Sequence, residues 1–465
     1  MSQMHWTRRA FLAATSTSAA VVTLGGRAFG QQVNTARVVP GRLSPNELVN
    51  VAAIGAGGKG MSDLMGAKRA GANIVAVADP DWRRAEECFA TLPDTKRYKD
   101  YRVMLDEMPE IDACTVSTPD HSHAPAAYRA MKLGKHVYVQ KPLTHTVAEA
   151  RLLARTAKEM GVATQMGNQG HCGDGVRDLC ELLWAGTIGQ VKEVHVWTNR
   201  PIWPQGLSKP DKTDEIPAEL DWDLWLGPAL DRPFVAKHPA TNEDCYLPFV
   251  WRGWWDFGCG ALGDMACHIM DAAHWSMRLY EAKSYAVECV QQEGMTADMA
   301  PNKSIIKYTF PARGNMNPVD VYWYDGGLKP QRPADIPEGE KLGDGDNGSL
   351  FIGESGYLTT GEYGGNSRIL PEARAKDSKK PAPYIPRIPG EDPYSNWIYA
   401  VKGGGEAASN FSYSGPFTEI VDFGNVALRA QKKLEFDAEK FEVTNDPSLN
   451  KFLTKEYRKG WELPV

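Results

Sequence analysis

Between residues 48 and 168 two patterns alternate along the chain. Short, continuous apolar runs are separated by segments with helical spacing. The runs are "LVNVAAIG" (48–55), "NIVAVAD" (73–79), "DACTVSTP" (112–119), "KHVYVQKP" (135–142) and "VATQMGN" (162–168), and the clearest helical segment is "HTVAEARLLARTAKEMG". Runs without a polar side have no face to give to water. They predict a parallel sheet covered by helices on both faces, hence a doubly wound α/β domain over 48–167. After 168 the pattern changes. "VRDLCELLWAGTIG" and "GALGDMACHIMDAAHWSM" read as helices, and "VKEVHVWTN" alternates like a half-exposed strand. "DVYWYDG" and "GSLFIGESGYLTT" read as antiparallel strands. Residues 199–260, 325–347 and 364–395 read as loops. The second domain, 168–465, is therefore α+β, and no internal repeat is visible.

Composition narrows the picture. The 465 residues suit more than one domain, and 42% hydrophobic with 24% charged residues is ordinary for a globular chain. A net charge of −6 without a basic block argues against a nucleic-acid partner. Eight cysteines without a Cys-x-x-Cys pair argue against a zinc ribbon or dithiol redox site, so buried thiols are expected. The N-terminus stands apart. "TRRAFL" precedes a short run of small and apolar residues and then "RAFGQQ", and no acidic residue precedes Glu47. Residues 1–30 resemble a twin-arginine export signal, with 31–47 as a polar linker. The run is too short for a membrane span. The expectation is an exported, periplasmic protein handled by the twin-arginine machinery.

The loop "IGAGGKG" sets Gly55, Gly57 and Gly60 in a G-x-G-x-x-G pattern after an apolar strand and before a helix, with Gly58 inside it. Asp79 ends the next strand. In that context the pattern predicts a dinucleotide site. Gly55 permits the tight turn, Gly57 admits the pyrophosphate, and Gly60 allows close helix packing. Asp79 would accept hydrogen bonds from the adenosine ribose, which favours NAD, while Arg83 and Arg84 keep NADP open.

Further motifs follow in order: "STPDHSH" at the fourth strand, "QKP" after the fifth and "GDMACHIMD" in the second domain. Together with the glycine loop they resemble the glucose–fructose oxidoreductase/inositol dehydrogenase/rhizopine-catabolism family (Gfo/Idh/MocA), over most of the mature chain. The export signal, "DWDLWLGP" and "WRGWWDFGCGALGDM" are similar to its secreted bacterial branch. The resemblance implies an N-terminal Rossmann domain and a C-terminal domain with a large, mostly antiparallel sheet, one face of which forms a homo-oligomer interface. It also implies a tightly held nicotinamide cofactor and oxidation or reduction of a sugar or polyol carbon.

Such chemistry needs a hydride acceptor, supplied by the cofactor, and a protein group that handles the hydroxyl proton. Lys141 stands where a strand runs out in a doubly wound sheet, which is where ligands bind, and the resemblance implies that it contacts the reacting hydroxyl. Asp264 and His268 lie on one helix face at i, i+4. The resemblance places them against the nicotinamide, with the histidine suited to proton transfer near neutrality. Ser117, Thr118, Pro119 and His123 are implied beside the cofactor, where Asp120 departs from the asparagine often found. Gln140 replaces the family's usual glutamate, which removes a negative charge next to Lys141 and is expected to lower the pKa of that lysine. Asn168, Gln169 and His171 are candidate hydrogen-bonding groups for a polyhydroxylated substrate, and Arg252 for a carboxylate or sugar hydroxyl. His121 and His123 lack a third ligand, so no metal is expected. Seven of the fourteen tryptophans lie between 197 and 255; for most of them core packing is the better reading.

The reading is an NAD(P)-dependent oxidoreductase acting on a sugar, polyol or glycoside. Two alternatives remain: redox-neutral glycoside cleavage through a transient keto sugar, and a non-catalytic dinucleotide- or sugar-binding protein.

Overall fold

The computed structural model describes residues 47–376 and 380–465. The export signal read in residues 1–30 lies outside the described residues. Six short strands form the first sheet: β1 (Asn50–Ile54), β2 (Asn73–Ala78), β3 (Lys96–Tyr98), β4 (Ala113–Val116), β5 (His136–Val139) and β6 (Thr164–Met166). All pair in parallel, in the order β3-β2-β1-β4-β5-β6. Strand β3, "KRY", was not legible in the sequence, because a three-residue edge strand needs no apolar run.

Five helices position the site: α1 (Lys59–Arg69), α2 (Val147–Met160), α3 (Gly260–Ile269), α4 (Pro393–Val401) and α5 (Phe411–Ala430). The sheet is buried on both faces, and alternate residues of β1 divide between two cores. Ala52 and Ile54 join the large core shared with the second domain, whereas Val51 and Ala53 join a smaller one. That smaller core contains Leu64 of α1 and Tyr394, Trp397, Ile398 and Val401 of α4. A helix from the far end of the chain thus completes the first domain, so the division at 167/168 is crossed.

Helix α2 begins as its sequence demands. Thr146 accepts from the Glu149 amide, the Glu149 carboxylate accepts from the His145 amide, and Gly161 ends the helix in the left-handed region.

The second sheet holds β7 (Val191–Trp197), β8 (Ser284–Glu293), β9 (Lys303–Phe310), β10 (Val319–Tyr324), β11 (Gly348–Gly353), β12 (Tyr357–Thr360), β13 (Arg368–Leu370), β14 (Lys433–Asp437) and β15 (Glu442–Val443). Their order is β13-β12-β11-β7-β10-β9-β8-β14-β15, antiparallel except between β7 and β10. Ile306, Tyr308, Phe310, Val321 and Trp323 face the main core, while Lys307 and Tyr322 lie on the other face. Helix α5 lies between this sheet and α3. Gly424 allows the close approach, since a Cβ there would lie 2.7 Å from Leu262 of α3. The helix expected over 260–277 is divided at Met270, and Asp271–Ser276 continues it. No helix among the described residues is long and apolar enough to cross a membrane. All eight cysteines are free thiols, seven of them buried.

Candidate active site

The strand order reverses between β1 and β4, and the loops after those strands touch. Gly55 (φ +88°) packs so closely that a Cβ would lie 2.7 Å from the Ser117 carbonyl oxygen. A crevice at this point is the expected ligand site of a doubly wound sheet. Here a cavity of about 450 Å³ runs from Gly55, Gly57, Gly58 and Asp79 past Ser117, Thr118 and Pro119 to Lys141, Asp264 and His268.

The glycine end fits a dinucleotide. A Cβ on Gly57 would lie 2.9 Å from Arg84, so a side chain would fill the cradle. Gly58 (φ +54°) opens α1 without any side-chain cap, leaving the helix N-terminus to an anion such as a pyrophosphate. Gly60 lies behind, packed on Gly55. Asp79 accepts from the amides of Ala56 (2.8 Å) and Asp81 (2.9 Å). Burial raises its carboxyl to about 6 against the pull of those amides. Arg83 pairs with Asp81, and of the two arginines only Arg84 lines the cavity.

Beneath the loop lies a residue that the sequence did not single out. Asp63, fully buried on α1, binds the Lys59 ammonium (2.7 Å). It also accepts from Ser117 Oγ (2.7 Å), Gln140 Nε2 (2.8 Å) and Tyr394 Oη (2.7 Å). One carboxylate therefore joins the glycine-loop helix, the β4 loop, the end of β5 and α4. Lys59, held above its usual pKa by Asp63 despite burial, also lines the cavity. The only sequence signal was the i, i+4 spacing of Lys59 and Asp63.

This geometry corrects the expectation for Gln140. Its amide is turned to Asp63, and the negative charge beside Lys141 comes from Asp264. Lys141 Nζ donates to Asp264 Oδ1 (2.8 Å) and to the Asp264 carbonyl (2.7 Å). Arg252 Nε donates to the same Oδ1 (2.9 Å) and lies over the Phe249 and Trp251 rings. Burial would raise the Asp264 carboxyl, but Lys141 and Arg252 together hold it well below the usual carboxylate range. Asp264 is thus a fixed anion. The Lys141–Pro142 peptide bond is cis.

His268 follows Asp264 by one helical turn and lines the same cavity. Burial and the nearby Lys141 push it down to about 3. The expectation of a histidine titrating near neutrality is therefore corrected: it is a neutral imidazole, able to bind or relay but not held as a cation. Its ring meets Tyr363 edge-on at 5.1 Å, and Nδ1 has no partner among the described residues.

The other candidates divide. Gln169 lines the cavity, and its Oε1 has no partner among the described residues. Asn168 and His171 do not line it. His171 Nδ1 bonds Asp271 (2.9 Å), Asn168 accepts from Ser409 (2.6 Å), and Tyr413 also binds Asp271 (2.7 Å). Buried polar groups need such partners, so these two residues brace the domain junction and leave substrate contact to others. His123 is likewise structural. Its ring nitrogens bond the carbonyls of Pro142 and Thr118, both at 2.8 Å, and so tie the β4 loop to the Lys141 segment. His121 bonds the Trp225 carbonyl and packs on Trp225 and Phe257. Cavity residues missed from the sequence include Arg200, Phe249 and Tyr363, delivered by loops without a motif, whereas Trp203, Trp225 and Trp251 of the tryptophan cluster do line it.

Comparison with known proteins agrees with this architecture. Residues 49–168 match the Gfo/Idh/MocA model described as an oxidoreductase family, NAD-binding Rossmann fold. Residues 187–313 match the C-terminal alpha/beta domain model of the same family. A scyllo-inositol 2-dehydrogenase (NAD(+)) of Bacillus subtilis is 35% identical over 140 residues, 30% of this chain and 37% of that protein. Inositol 2-dehydrogenase 4 of Saccharopolyspora erythraea is 27% identical over 203 residues, 43% of this chain and 60% of that protein. The chain thus spans less than two thirds of the length of these curated relatives. Among solved structures, the WlbA dehydrogenase of Bordetella pertussis, in complex with NADH and UDP-GlcNAcA, shares the fold at TM-score 0.56 and 15% identity. The match covers 83% of this chain and 98% of that one. A levoglucosan dehydrogenase in complex with NADH and levoglucosan does so at TM-score 0.53 and 17% identity, over 84% and 99%. The chain belongs to the Gfo/Idh/MocA oxidoreductase family.

Proposed function

We propose that this protein is an NAD-dependent oxidoreductase that transfers a hydride at a secondary CH–OH carbon of a sugar, polyol or glycoside. The observation that carries the reading is the Lys141–Asp264–Arg252 cluster. It lies in the wall of the cavity that begins at the glycine loop. The glycine loop, the N-terminus of α1 and Asp79 would hold the dinucleotide. Bound nicotinamide supplies a hydride acceptor. Lys141, fixed by Asp264, presents positive charge to the reacting oxygen and stabilises it as charge develops. Neutral His268 and Gln169 orient the hydroxyls.

The inositol and sugar dehydrogenases among the relatives support the substrate class. The order Arg8-Arg9, apolar run and small residues supports twin-arginine export to the periplasm. The outer face of the nine-stranded sheet, with Lys307 and Tyr322, supports a homo-oligomer.

The test is purification followed by nicotinamide absorbance of the isolated protein, then a screen with scyllo-inositol, myo-inositol and methyl β-glucoside. Steady NADH formation is expected. Cleavage of the glycoside without net NADH would favour the redox-neutral alternative. Absence of turnover, or turnover left untouched by both Lys141→Ala and His268→Ala, would favour a binding protein.

A further inference from the structure

Three carboxylates line the reaction end of the cavity: Glu362, which accepts from Asn347 Nδ2 (2.8 Å), and Asp264 and Asp120, whose surroundings differ. Asp264 is bound by two cations. Asp120, in the 3₁₀ turn Asp120–Ser122 after β4, is 3% exposed and has no cation bonded to it. Its Oδ2 accepts from the Cys259 amide at 3.1 Å, and among the described residues nothing donates to Oδ1. One oxygen is therefore anchored on the backbone at the start of α3, and the other is left for a ligand. Two carboxyls whose environments separate their ionisation are the usual mark of divided acid–base roles.

We propose that Asp120 is the acid–base group that takes the substrate's hydroxyl proton in oxidation and returns it in reduction, while Lys141 remains a charge clamp. This deepens the oxidoreductase reading and rests on it. In oxidation the O–H bond breaks and its proton goes to Asp120 Oδ1. The O–H electron pair becomes the second bond of the carbonyl as hydride leaves carbon for the nicotinamide.

The surrounding charges suit the role. Burial raises the Asp120 carboxyl to about 7, Asp264 adds to the rise, and Lys141, Arg252 and the Cys259 amide oppose it. Asp422 of α5 and the thiols of Cys259 and Cys267 face the same region; burial raises all three, which keeps the thiols neutral. The remaining base candidates are less suited. Lys141 is bonded twice to Asp264, and His268 near 3 is too weak a base to hold a proton at neutrality.

The test uses the full-length holoenzyme with scyllo-inositol or methyl β-glucoside, whichever gives NADH. In the wild type, kcat/KM for oxidation should rise as pH rises through about 7, because the base acts deprotonated, and the reductive rate should fall over the same interval. Asp120→Asn should lose that limb and about 10²–10³-fold in kcat, with NAD affinity kept. Asp120→Glu should retain a limb at a displaced pH, and it decides the matter if the asparagine variant does not fold. A readout independent of turnover is the pH-difference infrared spectrum of the cofactor-free protein. Asp79 and Asp325, both raised to about 6, contribute protonated-carboxyl signals of their own, so the readout is the difference between variants: Asp120→Asn should lose one carboxyl component, the one titrating through about 7, and keep the others. A turning-over enzyme whose limb is unmoved in both variants, or an unchanged infrared titration, overturns the assignment to Asp120 alone. Absence of any NAD-linked turnover in the wild type overturns the oxidoreductase reading, and the proton step with it.

Discussion

Each end of the cavity carries a lysine–aspartate pair, and the two pairs do different work. At the cofactor end Asp63 is fully buried and its lysine is 41% exposed. The carboxylate faces inward, where Ser117, Gln140 and Tyr394 use its lone pairs to join four segments. At the reaction end Asp264 and Lys141 are almost equally exposed, at 13% and 14%, and both face the void. Arg252 takes the place that scaffold donors occupy around Asp63. The same pair of residue types thus becomes a structural bolt or a charge clamp, according to which partner meets the open space.

The largest expected effect tests the clamp. Lys141→Ala should lower kcat/KM by about 10³-fold, with NAD affinity retained, because it removes charge aimed at the reacting oxygen; steady-state kinetics and calorimetry separate the two. Asp63→Ala should act on the other quantity. It leaves Ser117, Gln140 and Tyr394 unpaired and should cost about 3–5 kcal/mol in denaturant unfolding. Lys59→Ala removes the cation from a fully buried carboxylate but leaves its three neutral donors in place, and should cost less, about 1–3 kcal/mol. If both variants cost the same, the contrast between bolt and clamp fails. Gln140→Glu would set a second carboxylate against Asp63 and is expected to cost about 1–3 kcal/mol, leaving the pH profile of Lys141-dependent turnover in place. A shifted profile at unchanged stability would restore the tuning of Lys141 by residue 140. The last effect concerns Asp79. With its carboxyl raised to about 6, the ionised acceptor is lost as pH falls through that value. NAD affinity should therefore tighten as pH rises through about 6. Asp79→Asn should bind about tenfold more weakly at neutrality and without that dependence; titration calorimetry across the interval decides it.

Part of this is legible in the sequence. The apolar runs named five of the six parallel strands, and the glycine loop, Lys141, Asp264 and His268 could all be singled out. What was misread shares one cause. Asn168 and His171 are polar residues at a domain junction, the composition expected of a substrate site, yet their partners Asp271, Ser409 and Tyr413 lie a hundred or more residues away in the chain. Asp63 looked like any exposed helix residue. Helix α4 lies beyond a loop-rich stretch and gives no sign that it packs on α1 and on Tyr138 of β5.

The sequence by itself determined what depends on neighbours along the chain: the period of apolar residues, the turns that only glycine can make, and the i, i+4 placement of Asp264 and His268. The tertiary structure decided which charge meets which. Desolvation and Coulomb attraction depend on distance in space, so identical aspartates became a bolt at 63, a fixed anion at 264 and a titrating acid at 120 only once remote segments had closed around them.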